Sequence, residues 1–484
     1  MSVSDSAIIK ATKWSFLSQI LSKLAAPVSS MILARILAPS VYGIVASVNM
    51  VISFCELFSD AGFNKYIVQH EAKDEDDLKK IINIAFITNF VLTMLIWGVI
   101  CIFATPIASL VGCPGKETAV MVACVMLPLH GFMSIQDARF RRDMDFKMLF
   151  FFRMVTLIVP FAVTIPIALA TRSYWALIIG NIASSAIYVI AMEIKLKWRP
   201  MLYFSFSKLR EMFSFSMWSM LEAILVWVIN WGDVFIVTRL LSQGELGIYK
   251  TSMNMVGQII GIISAAIVPV HLSALSRAQN DSEKFKELFY KFSTVTGIIL
   301  IPLGAGMLVY KDLLCYVTLG SQWMSGATLM GMWGLISAVA ILFNSFGTNA
   351  LIAKGKPKIS VIVQLLQIVV IIPTVYFSAR TSFECLSYTR ALIRVFGMVA
   401  FSVVLRKMFS ISAFTTLRKL LPVLISTIGM AIVGVLFVYF ANSVILEFVG
   451  VFVCIIVYFA ILMVFPSVRK QTIPQMKALL FKRK

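Results

Sequence analysis

Two stretches of this chain share a pattern: Ile32–Met50, ILARILAPSVYGIVASVNM, and Ile236–Asn254, IVTRLLSQGELGIYKTSMN. Arg35 matches Arg239 and Gly43 matches Gly247, both at an offset of 204 residues. Each stretch runs from one apolar segment through a short polar turn into another, so each predicts the joint between two helices. Six predicted helices separate the copies. An even number makes the repeats parallel, related by an axis along a membrane normal. A looser match joins the region before Pro160 to the region before Pro373.

Working outward, the apolar runs continue from end to end. Of the 484 residues, 60% are hydrophobic, and the mean hydropathy is +0.90. A soluble domain is nearer 45–50% apolar. No polar stretch is long enough to hold a soluble domain between the spans. The chain reads as an all-α integral membrane protein of about fourteen transmembrane helices. The predicted limits are 12–38, 41–68, 79–108, 117–138, 148–170, 174–194, 211–240, 246–276, 287–310, 326–353, 359–378, 384–405, 420–441 and 444–466. Six helices form an N-lobe (1–196) and a linker follows (197–210). Six more form a C-lobe (211–408), then come a helix pair (409–466) and a basic tail (467–484). Two similar bundles facing a cleft can rock about it, which is the basis of alternating access.

The net charge of +20 is distributed by topology. Thirty-one of the 43 Lys and Arg fall in the termini and alternate predicted loops, against four in the opposite loops. This positive-inside bias places both termini in the cytoplasm and lets the basic loops touch anionic lipid headgroups. It also removes the case for nucleic-acid binding. The N-terminus lacks a cleavable signal pattern, so the first span is expected to be retained. Seven cysteines show no CxxC and no metal spacing.

The other eight cations lie inside predicted spans: Lys23, Arg35, Lys65, Arg153, Arg239, Lys250, Arg390 and Arg394. A cation near the bilayer centre costs about 2.5–3.5 kcal/mol on insertion scales, so such residues face partners or water-filled cavities. Lys23 and Arg153 fall in the cytoplasmic halves of their helices, where an anionic headgroup would first enter. Arg390 and Arg394 are four apart and share a helix face, where like charges repel unless an anion or water compensates them. Arg35 and Arg239 sit at the outer turns of the repeat and read as braces of an outer gate. Lys65 and Lys250 lie near helix ends and snorkel.

The intramembrane acids are Glu56, Asp60, Glu193, Glu222 and Asp233. Glu222 lies deepest and leads as an ion-coupling candidate, with Asp233 second; a static ion pair is the alternative for both. Asp60 reads as structural. His130 and His271 read as hydrogen-bonded core residues, with no second ligand at helical spacing. Pro27, one turn after Lys23, could hinge the first helix. The methionines and phenylalanines need no cofactor, and some could line a groove for a polyprenyl tail.

The stretch Lys13–Gln69, KWSFLSQILSKLAAPVSSMILARILAPSVYGIVASVNMVISFCELFSDAGFNKYIVQ, resembles the N-terminal signature of Wzx-type polysaccharide flippases. The matching elements are Lys13-Trp14, Leu33-Ala34-Arg35-Ile36-Leu37, Tyr42-Gly43 and Phe58-Ser59-Asp60-Ala61-Gly62-Phe63, with Leu246–Gln258, LGIYKTSMNMVGQ, further on. The chain is similar to the colanic-acid and teichuronic-acid exporter branch of the multidrug/oligosaccharidyl-lipid/polysaccharide superfamily. That resemblance implies a MATE-like fold in a bacterial cytoplasmic membrane. It implies transfer of an undecaprenyl-pyrophosphate-linked oligosaccharide to the periplasmic leaflet, coupled to a proton or sodium gradient. It implies no enzymatic activity and no cofactor, with a polysaccharide polymerase and glycosyltransferases as partners. Lys23 and Arg153 stand outside the shared motif.

Two other functions fit a polytopic chain. A multidrug exporter of the same fold would favour acidic cavity residues, whereas eight intramembrane cations here face five acids. A glycan ligase or glycosyltransferase would want a sizeable outer loop, and the predicted outer loops are short. No re-entrant filter sequence suggests a channel.

Overall fold

The computed structural model describes residues 5–60, 63, 66–67, 74–196, 201, 203–466 and 468–469. Lys65 and most of the tail lie outside them, as do the side chains of Asp60 and Glu222. The described residues are almost wholly helical: α1 (Asp5–Ile36), α2 (Pro39–Asp60), α3 (Glu75–Ile102), α4 (Ala104–Leu110), α5 (Glu117–Ala123), α6 (Met126–Arg142), α7 (Phe146–Val159), α8 (Ile165–Thr171), α9 (Trp175–Leu196) and α10 (Phe206–Leu240). There follow α11 (Gln243–Arg277), α12 (Ser282–Val309), α13 (Lys311–Thr318), α14 (Ala327–Ala340), α15 (Phe346–Ala353), α16 (Pro357–Thr381), α17 (Phe383–Phe409), α18 (Ala413–Phe440) and α19 (Val444–Val464).

Among the described residues, twelve helical segments are long and apolar enough to cross a membrane. The protein is therefore a multi-pass membrane protein. The other two expected spans, α1 and α17, are long helices outside that set. They carry Lys23 and Arg35, and Arg390 and Arg394.

Local chemistry sets the ends. Asp74 caps α3 by accepting from the Asp77 amide at 2.6 Å, and three acids follow in the first turn, where the helix dipole favours them. Asp281, Ser382 and Ser443 cap α12, α17 and α19 in the same way. Pro160 has no amide hydrogen to give, and a π-helical turn, Pro160–Thr164, joins α7 to α8 there. A second π turn, Ile341–Ser345, joins α14 to α15.

Packing divides the chain into two compact units, Met1–Lys250 and Thr251–Lys484. In the first, α1 lies along α7, with Trp14 packed on Phe150 at 5.0 Å between ring centres. Phe140, Leu149, Phe152, Tyr188 and Met192 form one core between α6, α7 and α9. In the second, the segment from Ser321 to Ala353 is 78% buried over its most apolar stretch, whereas α19 is only 17% buried. The segment Ser321–Ala353 is thus the central element of that unit, and α19 leaves most of its surface exposed.

Candidate functional site

The repeated turns meet in the first unit. Pro39 occupies the first position of α2, where its fixed φ suits the helix and its missing N–H costs nothing. The matching position, Gln243, opens α11 behind a capping box: the Ser242 amide and hydroxyl donate to Glu245 Oε2 at 2.9 and 2.7 Å. The two helix starts then press together at their glycines. A β-carbon on Gly43 would fall 1.9 Å from the Gln243 carbonyl oxygen, and one on Gly247 would fall 1.9 Å from the Pro39 carbonyl oxygen. Each glycine touches the residue four positions before its counterpart, so the contact is reciprocal, like a local two-fold. Only glycine permits backbones this close.

The clasp is buttressed. Thr238 is buried and donates to the Val111 carbonyl at 2.8 Å, with Ser47 Oγ 3.1 Å away. Gln243 Nε2 donates to the Gly112 carbonyl. Gly112 turns with φ +69°, and its α-carbon faces the Thr238 carbonyl so closely that a β-carbon would fall 2.3 Å from the oxygen. Arg239 is exposed, donates to the Leu110 carbonyl at 3.3 Å and stacks on Phe235. Arg35 is exposed at the end of α1.

The remaining candidates fall at separate places. Lys23 is exposed on α1, one turn before Pro27, which is half-buried. Arg153 is half-buried on α7, within electrostatic reach of Asp137 and Tyr188, whose hydroxyl donates to Asp137 at 2.6 Å. Asp233 is 1% exposed and accepts from the Tyr249 hydroxyl at 2.9 Å across the α10–α11 joint. Lys250 donates to the Asn230 carbonyl at 3.0 Å and lies over Trp231.

In the second unit, α17 carries Arg390 and Arg394 against one indole. Their guanidinium carbons lie 5.0 and 4.2 Å from the centre of Trp333 on α14, and Arg394 also donates to Ser337. Arg390 is only 4% exposed. The π face supplies part of the compensation that two cations on one helix face require. Sequence spacing pairs the arginines, but nothing in it points to Trp333, more than 50 residues earlier.

The same unit holds an apolar groove of about 520 Å³ between α11, α12, α13, α18 and α19. Ile259, Pro302, Gly306, Met430, Val451 and Phe459 line it. Its polar tips are turned to protein: the Tyr458 hydroxyl donates to the Ile298 carbonyl at 2.8 Å, and the Tyr310 hydroxyl meets Cys454 at 3.5 Å. What remains is an oily wall suited to a hydrocarbon chain.

A family model described as polysaccharide biosynthesis protein matches residues 32–328. A membrane protein of the cps region of Klebsiella pneumoniae is 24% identical over 375 residues, covering 76% of each chain. The lipopolysaccharide biosynthesis protein WzxC of Escherichia coli (strain K12) is 22% identical over 386 residues, covering 77% of this chain and 75% of WzxC. The structure of the lipid II flippase MurJ in an inward closed conformation superposes with a TM-score of 0.77, at 12% identity, over 96% of this chain and 100% of that one. At that identity the likeness is one of fold.

Proposed function

Because the chain belongs to the polysaccharide biosynthesis protein family, we propose that it is a flippase. It carries an undecaprenyl-pyrophosphate-linked oligosaccharide from the cytoplasmic to the periplasmic leaflet of a bacterial inner membrane, for O-antigen, exopolysaccharide or capsule synthesis. Both termini lie in the cytoplasm. It is a transporter, not an enzyme, and it supplies a polymerase with substrate made by glycosyltransferases.

The observation that carries this reading is the groove. A wall with no free polar group accepts a polyprenyl tail, and burying each CH₂ is worth about 0.8 kcal/mol. The pyrophosphate needs cations, and Lys23 and Arg153 are placed on the cytoplasmic halves of their helices to receive it. Arg390 and Arg394 already have an aromatic partner and come to the anion second. Glu222 and Asp233 are candidates for coupling to protons or sodium. The Gly43–Gly247 clasp, braced by Arg35 and Arg239, is the closed periplasmic gate of an alternating-access cycle.

The test is reconstitution. Vesicles holding the protein and an undecaprenyl-pyrophosphate disaccharide bearing a fluorophore should expose all of the probe to a membrane-impermeant quencher. Protein-free vesicles should expose only the outer half; equal quenching in both would contradict the proposal. Gly306 gives a finer check, since a β-carbon there meets nothing within 4 Å. Gly306→Phe should fill the groove, keep the fold and lower the flipping rate by about tenfold or more, the effect of losing about 1.4 kcal/mol of tail binding. Wild-type flipping by a folded Gly306→Phe protein would remove the groove from the tail's path.

A further inference from the structure

Three helices of the first unit bring a carboxylate, an imidazole and a hydroxyl into line. Glu56 of α2 bonds His130 Nδ1 on α6, and His130 Nε2 lies 3.1 Å from Ser185 Oγ on α9. None of the three is a neighbour of another in sequence. His130 and Ser185 fall near the middle of the spans Glu117–Arg142 and Trp175–Lys195. His130 and Ser185 thus sit near mid-span, and Glu56 reaches them from nearer the end of the span Pro39–Phe58. The ionisable members of the group are not sealed in: the His130 and Glu56 side chains are 29% and 36% exposed.

An ionisable pair open within these spans is too costly to face hydrocarbon, so it faces water or a passage. With one proton between them, carboxylate and imidazole are neutral overall. Loss of that proton to water leaves one negative charge; gain of a second leaves one positive charge. Both changes are expensive in a low dielectric unless the surroundings rearrange. Ser185 serves either state, because a hydroxyl accepts from a protonated Nε2 and donates to an unprotonated one. The pair spans α2 and α6, and α2 also carries Gly43 of the clasp. The proton state of the pair and the closure of the clasp thus act on one helix.

The surrounding titratable groups fit this role. Asp137 and Arg141, farther along α6, pair with each other, the Tyr188 hydroxyl of α9 donates to Asp137, and Arg153 of α7 lies near them. Cys55, Cys101 and Cys124 are the thiols on α2, α3 and next to α5, and all three are free. No group of three or more metal-ligating side chains is present among the described residues, and an imidazole is a poor ligand for sodium, a hard cation that takes oxygen donors.

We propose that Glu56, His130 and Ser185, ahead of Glu222 and Asp233, form the proton-binding site through which the transmembrane proton gradient drives this transporter. The inference rests on the flippase reading and supplies its coupling ion. A proton from periplasmic water binds the pair, and the same proton leaves to cytoplasmic water after the helices rearrange. Each cycle moves one proton and breaks no covalent bond.

The experiment has two arms on the full-length protein in lipid. First, ¹⁵N-histidine NMR follows pH titration; the chain has only three histidines, so His130 is assigned by difference with His130→Gln. The His130 signal should respond to pH, because imidazole is the side chain suited to exchange protons with water, and Glu56→Gln should alter that response. A His130 signal that stays constant, or is indifferent to Glu56→Gln, overturns the site. Second, flipping of the fluorescent disaccharide probe is compared with and without a gradient of one pH unit, worth about tenfold in driving force. The stimulation ratio should fall to about one in His130→Gln and Glu56→Gln. If His130→Gln fails to fold, Ser185→Ala carries the same test with a smaller change. Undiminished stimulation in the folded variants, or stimulation by sodium alone, overturns the proposal. A wild-type protein that titrates at His130 but never flips the probe would instead refute the flippase reading and leave the proton site standing.

Discussion

Gly43→Val and Gly247→Val should each open the clasp between the starts of α2 and α11. The added β-carbon falls on a backbone carbonyl at 1.9 Å, not on a side chain that can swing away. Overpacking of this kind costs about 1–3 kcal/mol, so the closed form loses about tenfold to a hundredfold in population. The readout is a disulfide between Ser47→Cys and Thr238→Cys, whose hydroxyl oxygens touch at 3.1 Å in the closed form. Linked peptides, counted by mass spectrometry, should drop about tenfold or more in either valine variant. Both glycines report on one reciprocal contact. The double variant should therefore be little worse than either single one, since residues in contact are not additive. Full additivity, or unchanged cross-linking in both single variants, would mean that the two glycines do not share a contact.

Trp333→Leu should be the most destabilising change in the second unit. It removes the ring that Arg390 and Arg394 share, so α17 loses both cation–π contacts. Truncating a buried aromatic as far as alanine costs about 3–5 kcal/mol, leucine costs part of that, and each desolvated cation–π contact adds up to about 2 kcal/mol. Thermal unfolding in detergent should show a large fall for Trp333→Leu and a smaller one for Trp333→Phe, which keeps a π face. Replacing both arginines by methionine in the Trp333→Leu background should recover part of the loss, because no cation then faces the position the indole held. A Trp333→Leu protein as stable as wild type, or one not improved by the methionines, would show that the indole does not carry these charges.

The architecture is legible in the sequence where the signal is local. Apolar run length and the alternation of basic loops depend on neighbouring residues, and they anticipate an all-helical membrane protein with helix joints at 39–40 and 241–245, where the structure has them at 37–38 and 241–242. The spacing of Arg390 and Arg394 likewise puts them on one helix face through the α-helical period alone. The contacts that give these residues meaning are less legible. Trp333 comes from another helix. His130 looks like a lone core histidine because Glu56 and Ser185 lie 74 and 55 residues away. The clasp sits between these extremes. Pro39 and Gln243 share the offset of the glycines, so the repeat marks all four positions, but their reciprocal contact requires the turns to be brought together. The groove leaves no motif, because any set of apolar side chains on five elements would build it.

The central claim is that this protein moves a lipid-linked glycan across the membrane. The direct measurement is the leaflet distribution of undecaprenyl-pyrophosphate-linked sugar in cells depleted of the protein, with the glycan identified by mass. The account predicts accumulation on the cytoplasmic side, relieved when the wild-type chain is restored and not when the Gly43→Val chain is. Normal transfer to the periplasmic side in depleted cells, with altered drug sensitivity or unattached glycan outside, would contradict it.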